Sequence, residues 1–264
     1  MQLVKLNNIH IHFEVNGPDN GFPVVFANSL GTDFRVWDAL LPHLPSNLRI
    51  LRYDKRGHGL TDAPKAPYFM GDLVKDAAAL MDHVGMENAL FVGLSIGGMI
   101  AQGLAAERPD LIRAMVLCDT GVKIGTEAMW QDRIDAVNEG GIKTLEDAII
   151  ERWFAKSFRT DKTAELAGWR NMLSRTTVDG YTGCCRAIAD TDLYESTARL
   201  TLPTLAVAGA EDGSTPPDLV RETADLIPHS QFEVIPNAGH LPCVEQPEIL
   251  GRLITKFMKD NALV

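Results

Sequence analysis

The chain has 264 residues, 45% hydrophobic and 23% charged, enough for one large buried core and typical of an ordinary globular protein. A net charge of −10 argues against a nucleic-acid partner, because phosphate binding requires clustered Lys and Arg. No apolar run approaches the roughly 18 residues that a membrane helix requires, so no membrane partner is expected.

The first residues, Met1 to Leu6, lack the basic start and apolar core of a signal peptide. Leu3 to Leu6 and Ile9 to Val15 read as a hairpin turning at Asn7-Asn8. The apolar runs Val24 to Ala27 and Arg49 to Tyr53 read as buried strands. Between them Phe34, Trp37, Leu40, Leu41 and Leu44 recur at helical spacing. An amphipathic helix is expected from Asp72 to Val84, stopping near Gly85. Ala89 to Val92 is a strand, Ile96 to Glu107 a helix ended by Pro109, and Ile112 to Cys118 a further strand. This alternation predicts an α/β fold with a mostly parallel sheet flanked by helices.

The pattern changes at Thr120. Up to Arg199 there is no convincing strand; helical stretches are expected at Glu127 to Asn138, Leu145 to Phe158, Thr163 to Ser174 and Tyr181 to Ile188. Strand and helix then alternate again: Thr204 to Ala208, a helix after Pro216-Pro217, Gln231 to Ile235, and a final helix from Pro247 to Met258. The expected organisation is a core over residues 1–119 and 200–264, interrupted by a helical cap over 120–199 that shapes a pocket. The four cysteines, Cys118, Cys184, Cys185 and Cys243, lack metal-ligand spacing and are expected to be free and buried in a cytoplasmic protein.

Gly93-Leu94-Ser95-Ile96-Gly97 matches G-x-S-x-G. Alone such a pattern arises by chance in roughly one chain of this length in ten. Here a strand runs into it and a helix leaves it, the setting in which the serine is lifted on a strained turn at a helix N-terminus. A serine hydroxyl needs a base, and histidine has the right pKa. Among seven histidines, His240 stands apart in the loop after the last strand. His10 and His12 are expected to share an exposed strand face, and His58, in a glycine turn, reads as structural. Asp212 follows the Thr204 to Ala208 strand, and in the order Ser95, Asp212, His240 it would orient the base. Glu211 and Asp119 are alternatives for that role. The oxyanion hole is expected from the backbone N–H groups of Ile96 and of Leu30, in the loop Asn28-Ser29-Leu30-Gly31. No phosphate-cradling glycine motif and no ligand cluster is present, so neither cofactor nor metal is expected.

These motifs are similar, over nearly the whole chain, to those of the α/β-hydrolase superfamily with a helical cap. Within it the chain most resembles the 3-oxoadipate enol-lactonases. The resemblance rests on Asn28-Ser29-Leu30-Gly31-Thr32-Asp33 with Trp37, on Tyr53-Asp54-Lys55-Arg56-Gly57-His58-Gly59, on Gly93 to Gly98, and on Ile124-Gly125-Thr126 with Trp130, Arg133-Ile134 and Arg152-Trp153-Phe154. It implies opening of a small lactone ring by Ser95. Such a substrate carries a carboxylate, for which Arg133, Arg152 and Arg170 are candidates, with Trp130 as a pocket wall; Trp130 and Arg133 are preferred. Two other readings stand beside it. One is a different hydrolase of the same fold: a carboxylesterase, a C–C bond hydrolase or a perhydrolase-type enzyme, the last disfavoured by Ile96 where methionine is usual. The other is a small-molecule receptor without useful turnover.

Overall fold

Asn7 and Asn8 both adopt left-handed backbone (φ 47° and 65°), the geometry of a two-residue hairpin turn, and join β1 (Gln2–Leu6) to β2 (Ile9–Asn16). In the computed structural model, which describes residues 1–264, this hairpin forms one edge of a single sheet. The other strands are β3 (Phe22–Ala27), β4 (Leu48–Tyr53), β5 (Ala89–Leu94), β6 (Ile112–Cys118), β7 (Thr204–Gly209) and β8 (Gln231–Ile235). Their order is β1-β2-β4-β3-β5-β6-β7-β8, antiparallel at β1-β2 and β2-β4 and parallel elsewhere. Every residue of β5 and β7 is buried, so both faces of the sheet are covered, as parallel strands require.

That order also fixes where a site can form. From β3 the chain crosses to β4 on one side, whereas from β5 it crosses to β6 on the other. The reversal opens a crevice beyond the C-terminal ends of β3 and β5, where ligands of open α/β sheets bind. The loop after β3 carries Asn28 to Gly31, and the turn after β5 carries Ser95.

Helices α1 (Met70–Val84) and α2 (Ile96–Glu107) follow β4 and β5; α1 stops at Gly85, which takes the left-handed conformation (φ 64°). Between β6 and β7 the chain is helical: α3 (Glu127–Gly140), α4 (Glu146–Trp153), α5 (Lys156–Asp161), α6 (Thr163–Ser174), α7 (Val178–Ala189) and the single turn α8 (Tyr194–Thr197). Thr126 and Thr177 cap α3 and α7 by accepting the N–H groups of Met129 and Gly180. After β7 come α9 (Pro217–Asp225), α10 (Pro242–Glu245) and α11 (Pro247–Asp260).

Two expected helices are broken. Phe34 to Leu44 forms two short 3-10 turns, Phe34–Trp37 and Leu41–His43, rather than one helix. Pro42 opens the second turn, and Leu44, held before Pro45, is extended (ψ 158°). Trp37 and Leu40 are fully buried all the same, so the apolar spacing reported burial correctly and helix length wrongly. The second break is at Phe154, extended (φ −122°, ψ 137°), which separates α4 from α5. There the backbone serves other partners: Trp153 C=O accepts the His240 N–H at 2.8 Å, and Ala155 N–H donates to Glu245 Oε2 at 2.8 Å.

Candidate active site

Ser95 sits between β5 and α2 with φ 58° and ψ −120°, a conformation that costs a non-glycine residue about 1–3 kcal/mol. The surroundings enforce it. A Cβ on Gly93 would lie 2.3 Å from the Gly97 carbonyl oxygen, and one on Gly97 would lie 2.1 Å from that of Ala27. Only glycine at both positions lets the turn close this tightly against β3. Ser95 is 7% exposed. Ile96, next in sequence, is the first residue of α2, where a backbone N–H has no intrahelical acceptor.

His240 is buried in the loop after β8, and its Nδ1 lies 2.8 Å from Asp212 Oδ2. Asp212 is held from several sides: Oδ1 accepts the N–H groups of Ser214 (2.7 Å) and Thr215 (3.1 Å), and Oδ2 accepts the Thr215 hydroxyl at 2.6 Å. Burial works to raise the Asp212 carboxyl, but His240 and these hydrogen bonds outweigh it and hold it below its ordinary value. Two N–H donors on its other oxygen make Asp212 a fixed anion facing one edge of the imidazole.

The second edge holds an unanticipated partner. His240 Nε2 lies 3.3 Å from Ser29 Oγ, while the Ser95 hydroxyl forms no hydrogen bond within the protein. Ser29, in the loop after β3, therefore shares the ring with Asp212. Thr215 is also new: its hydroxyl lies 3.2 Å from Nδ1 while donating to Asp212. Ser29 lies in the loop singled out for the oxyanion hole, but nothing in that loop or around Thr215 announces a contact with His240.

Asp119, an alternative in sequence for the orienting carboxylate, follows β6 directly at φ 46° and is fully buried. Its Oδ1 accepts the Gly209 N–H at 2.7 Å, and its Oδ2 has no partner. Burial and then the neighbouring Asp212 push its carboxyl well above the ordinary range. Donor atoms of Asp119, Asp212 and His240 all lie within 4.8 Å of one another. Glu211, the other alternative, is exposed and its Oε2 accepts the Lys156 N–H at 3.3 Å.

The Asn28 to Gly31 loop is braced from behind. Leu30 N–H makes no hydrogen bond in the protein. Gly31 N–H donates to His58 Nε2 at 2.9 Å, and His58 Nδ1 lies 3.1 Å from the Arg56 carbonyl oxygen, which fixes a neutral Nδ1–H tautomer. His58 is thus structural, and burial, reinforced by Lys55, holds its pKa well below 6.5. A histidine whose pKa is depressed by folding contributes stability that is present above the unfolded value and lost as pH falls below it. We therefore expect stability to decline below about pH 6.5, with a slope from this group of at most about 1.4 kcal/mol per pH unit. His58→Gln keeps an acceptor without the titration and should flatten that decline in thermal unfolding from pH 7 to pH 5; an unchanged profile would exclude His58 as its source.

In α3, Trp130 is buried and its Nε1 donates to Ile124 C=O at 2.6 Å. The Arg133 guanidinium stands 4.9 Å from the centre of the Trp130 ring. Burial pushes the Tyr181 phenol up, and the charges of Arg133 and Arg152 oppose it. Neither arginine has a carboxylate partner. Arg170 is engaged by Glu146 (2.7 Å) and Asp147 (2.6 Å) and is not free to receive a ligand. His12 departs from the exposed face expected of it: its side chain is 12% exposed, bonded to Asp54 at 2.7 Å and stacked on Phe34, while His10 remains exposed. A separate cleft of about 870 Å³ opens between the Phe34–Trp37 turn and α6; Ser95, Asp212 and His240 are not among its walls. All four cysteines are free and buried, and no helix is long and apolar enough to cross a membrane.

A strained serine turn after β5, a buried aspartate–histidine pair in the loops after β7 and β8, and a helical insertion in a mostly parallel sheet together mark out a class. Residues 24–252 match the model of the alpha/beta hydrolase family, and the chain belongs to that family. Among its relatives are two Acinetobacter baylyi proteins. It is 34% identical to 3-oxoadipate enol-lactonase 1, covering 94% of this chain and 92% of that one. It is 31% identical to 3-oxoadipate enol-lactonase 2, covering 96% and 94%. The enol-lactonase of Burkholderia xenovorans has the same fold, with a TM-score of 0.94 and 32% identity over 98% of this chain and all of the other.

Proposed function

We propose that this chain is a serine hydrolase that opens the ring of 3-oxoadipate enol-lactone to 3-oxoadipate through an acyl-enzyme. Two observations support the reading: Ser95 stands on a strained turn at the start of α2, and the buried His240 has its Nδ1 held 2.8 Å from Asp212 Oδ2. Likeness to three enol-lactonases over almost the full chain supports the substrate.

Ser95 Oγ attacks the lactone carbonyl and its proton passes to His240 Nε2. Substrate-free contacts of this kind are often loose and tighten in the complex, as Nε2 turns from Ser29 to Ser95. Asp212 stabilises the imidazolium. The N–H groups of Leu30 and Ile96 receive the oxyanion. Collapse breaks the acyl C–O bond, and the enol oxygen departs with a proton from His240. An enol leaves more readily than an ordinary alcohol, so this step asks little of the acid. The departing group stays tethered, and its tautomerisation to the ketone prevents reclosure. Water, deprotonated by His240, then attacks the acyl carbonyl and frees the second carboxylate. Arg133, beside Trp130, receives the carboxylate the lactone already carries.

The test follows loss of the enol-lactone ultraviolet absorbance beside hydrolysis of p-nitrophenyl esters. Rapid lactone opening, well above the ester rate, is expected. Fast ester cleavage with the lactone untouched would sink the substrate assignment and leave the serine chemistry standing.

A further inference from the structure

We propose that Lys55 is a positioning residue for the oxyanion hole, its buried ammonium orienting and polarising the Ser29–Leu30 peptide so that Leu30 N–H becomes the stronger donor. The inference rests on the serine-hydrolase reading above. Lys55 is 2% exposed, and its Nζ donates to the Ser29 carbonyl oxygen at 2.5 Å and more weakly to that of Thr32 at 3.4 Å. It forms no ion pair. A buried ammonium without a carboxylate partner is expensive, and an apolar chain of equal length would fill the same space at less cost, so stability alone does not account for it.

Its place in the loop does. The Ser29 carbonyl and the Leu30 N–H belong to one peptide unit, which is trans, so the two bonds point in opposite directions. A cation on the carbonyl withdraws electron density from the amide and strengthens its N–H, as hydrogen-bonded groups polarise one another in a low-dielectric interior. Leu30 N–H has no acceptor in the protein, whereas the Ser29 hydroxyl of the same loop reaches His240. The carbonyl thus faces Lys55 behind the loop and leaves the N–H to the other side. His58 and Lys55 brace consecutive peptides: His58 accepts Gly31 N–H, and Lys55, with the Thr32 hydroxyl at 2.9 Å and the Thr32 N–H at 3.3 Å, holds the carbonyl of the peptide before it. The effect grows as negative charge develops on the substrate oxygen, so it favours the transition state over the ground state.

The groups facing Lys55 also set a pH range. Burial brings its pKa down to about 8, opposed by Cys184 from α7, Asp54 from its own loop and Asp33 from the loop after β3, with neutral His58 beside it. Lys55 is charged at neutral pH and loses its proton as pH rises through about 8.

The experiment compares Lys55→Met with the parent, using p-nitrophenyl acetate for turnover and phenylboronic acid as a probe whose serine adduct places a negative oxygen in the hole. The expected result is a fall in kcat of about 10- to 100-fold with KM within twofold. Boronic acid affinity should fall by a similar factor, and Lys55→Arg, which keeps the charge, should recover part of both. The parent's loss of kcat above about pH 8 should be absent in Lys55→Met. Should Lys55→Met not fold, the Leu30 amide resonance of the parent is expected to move as pH passes through about 8, and a fixed resonance overturns the proposal. A folded Lys55→Met with parental kcat and boronic acid affinity overturns it too. If Ser95→Ala is inert in that case, the hydrolase reading stands and only the role of Lys55 falls; an active Ser95→Ala would remove the reading beneath both.

Discussion

Ser95→Ala is expected to lower kcat for both lactone and ester by about 10^4- to 10^6-fold, because without the hydroxyl no acyl-enzyme forms. What remains is catalysis by the oxyanion donors and by substrate positioning acting on water. The exchange itself is mild for the fold. Ser95 Oγ makes no hydrogen bond within the protein, and the strain at φ 58° is set by Gly93 and Gly97 rather than by the side chain. Thermal unfolding should therefore move little while turnover collapses. Binding of the intact lactone should survive, which makes this variant suited to measuring substrate affinity by calorimetry. Parental turnover in purified Ser95→Ala, free of wild-type carry-over, would end the nucleophile assignment.

Asp212→Asn is expected to cost about 10^3- to 10^4-fold in kcat. The amide has only one acceptor atom for the ring and the donors now on Asp212, and it cannot stabilise the imidazolium. Asp119 should moderate this loss. Its pKa is raised by burial first and by the Asp212 charge second. Removing that charge lowers its pKa, though burial keeps it raised. In Asp212→Asn, residual activity should therefore climb with pH as Asp119 ionises within reach of His240. Asp119→Asn alone keeps an acceptor for the Gly209 N–H and leaves the Asp212–His240 contact in place, so it should stay within about threefold of the parent. The double variant should lose a further ~10-fold relative to Asp212→Asn, and should lack its rise with pH. A four-membered comparison of kcat against pH checks this, and equal activities of Asp212→Asn and the double variant would dismiss Asp119 as a reserve carboxylate.

Much of the fold was legible because its signals are local. Asn7-Asn8 announces a hairpin, the apolar run before Gly93 announces a buried strand, and Gly85 stops a helix where a left-handed residue is needed. The chain order Ser95, Asp212, His240 carries the candidate triad for a similar reason, since each residue follows a strand of the same sheet. Helix continuity was less legible. Phe154 looks helical from its neighbours, yet the peptides beside it hydrogen bond to His240 and Glu245. Ser29 and His240 are 211 residues apart, and nothing in either segment announces the contact. Nothing in the sequence separates Lys55 from its neighbours in the Tyr53 to Gly59 motif, and only its burial behind the Ser29 carbonyl does so.

The tie between α4 and the His240 loop has a consequence for recombination among relatives. Trp153 C=O holds the His240 N–H, and Glu245 accepts both Gly239 N–H, at 2.7 Å, and Ala155 N–H. The helical insertion is therefore not an interchangeable attachment. A chimera that transplants it without residues 153–155, or without a carboxylate at Glu245, would inherit foreign helices and a misaimed imidazole together.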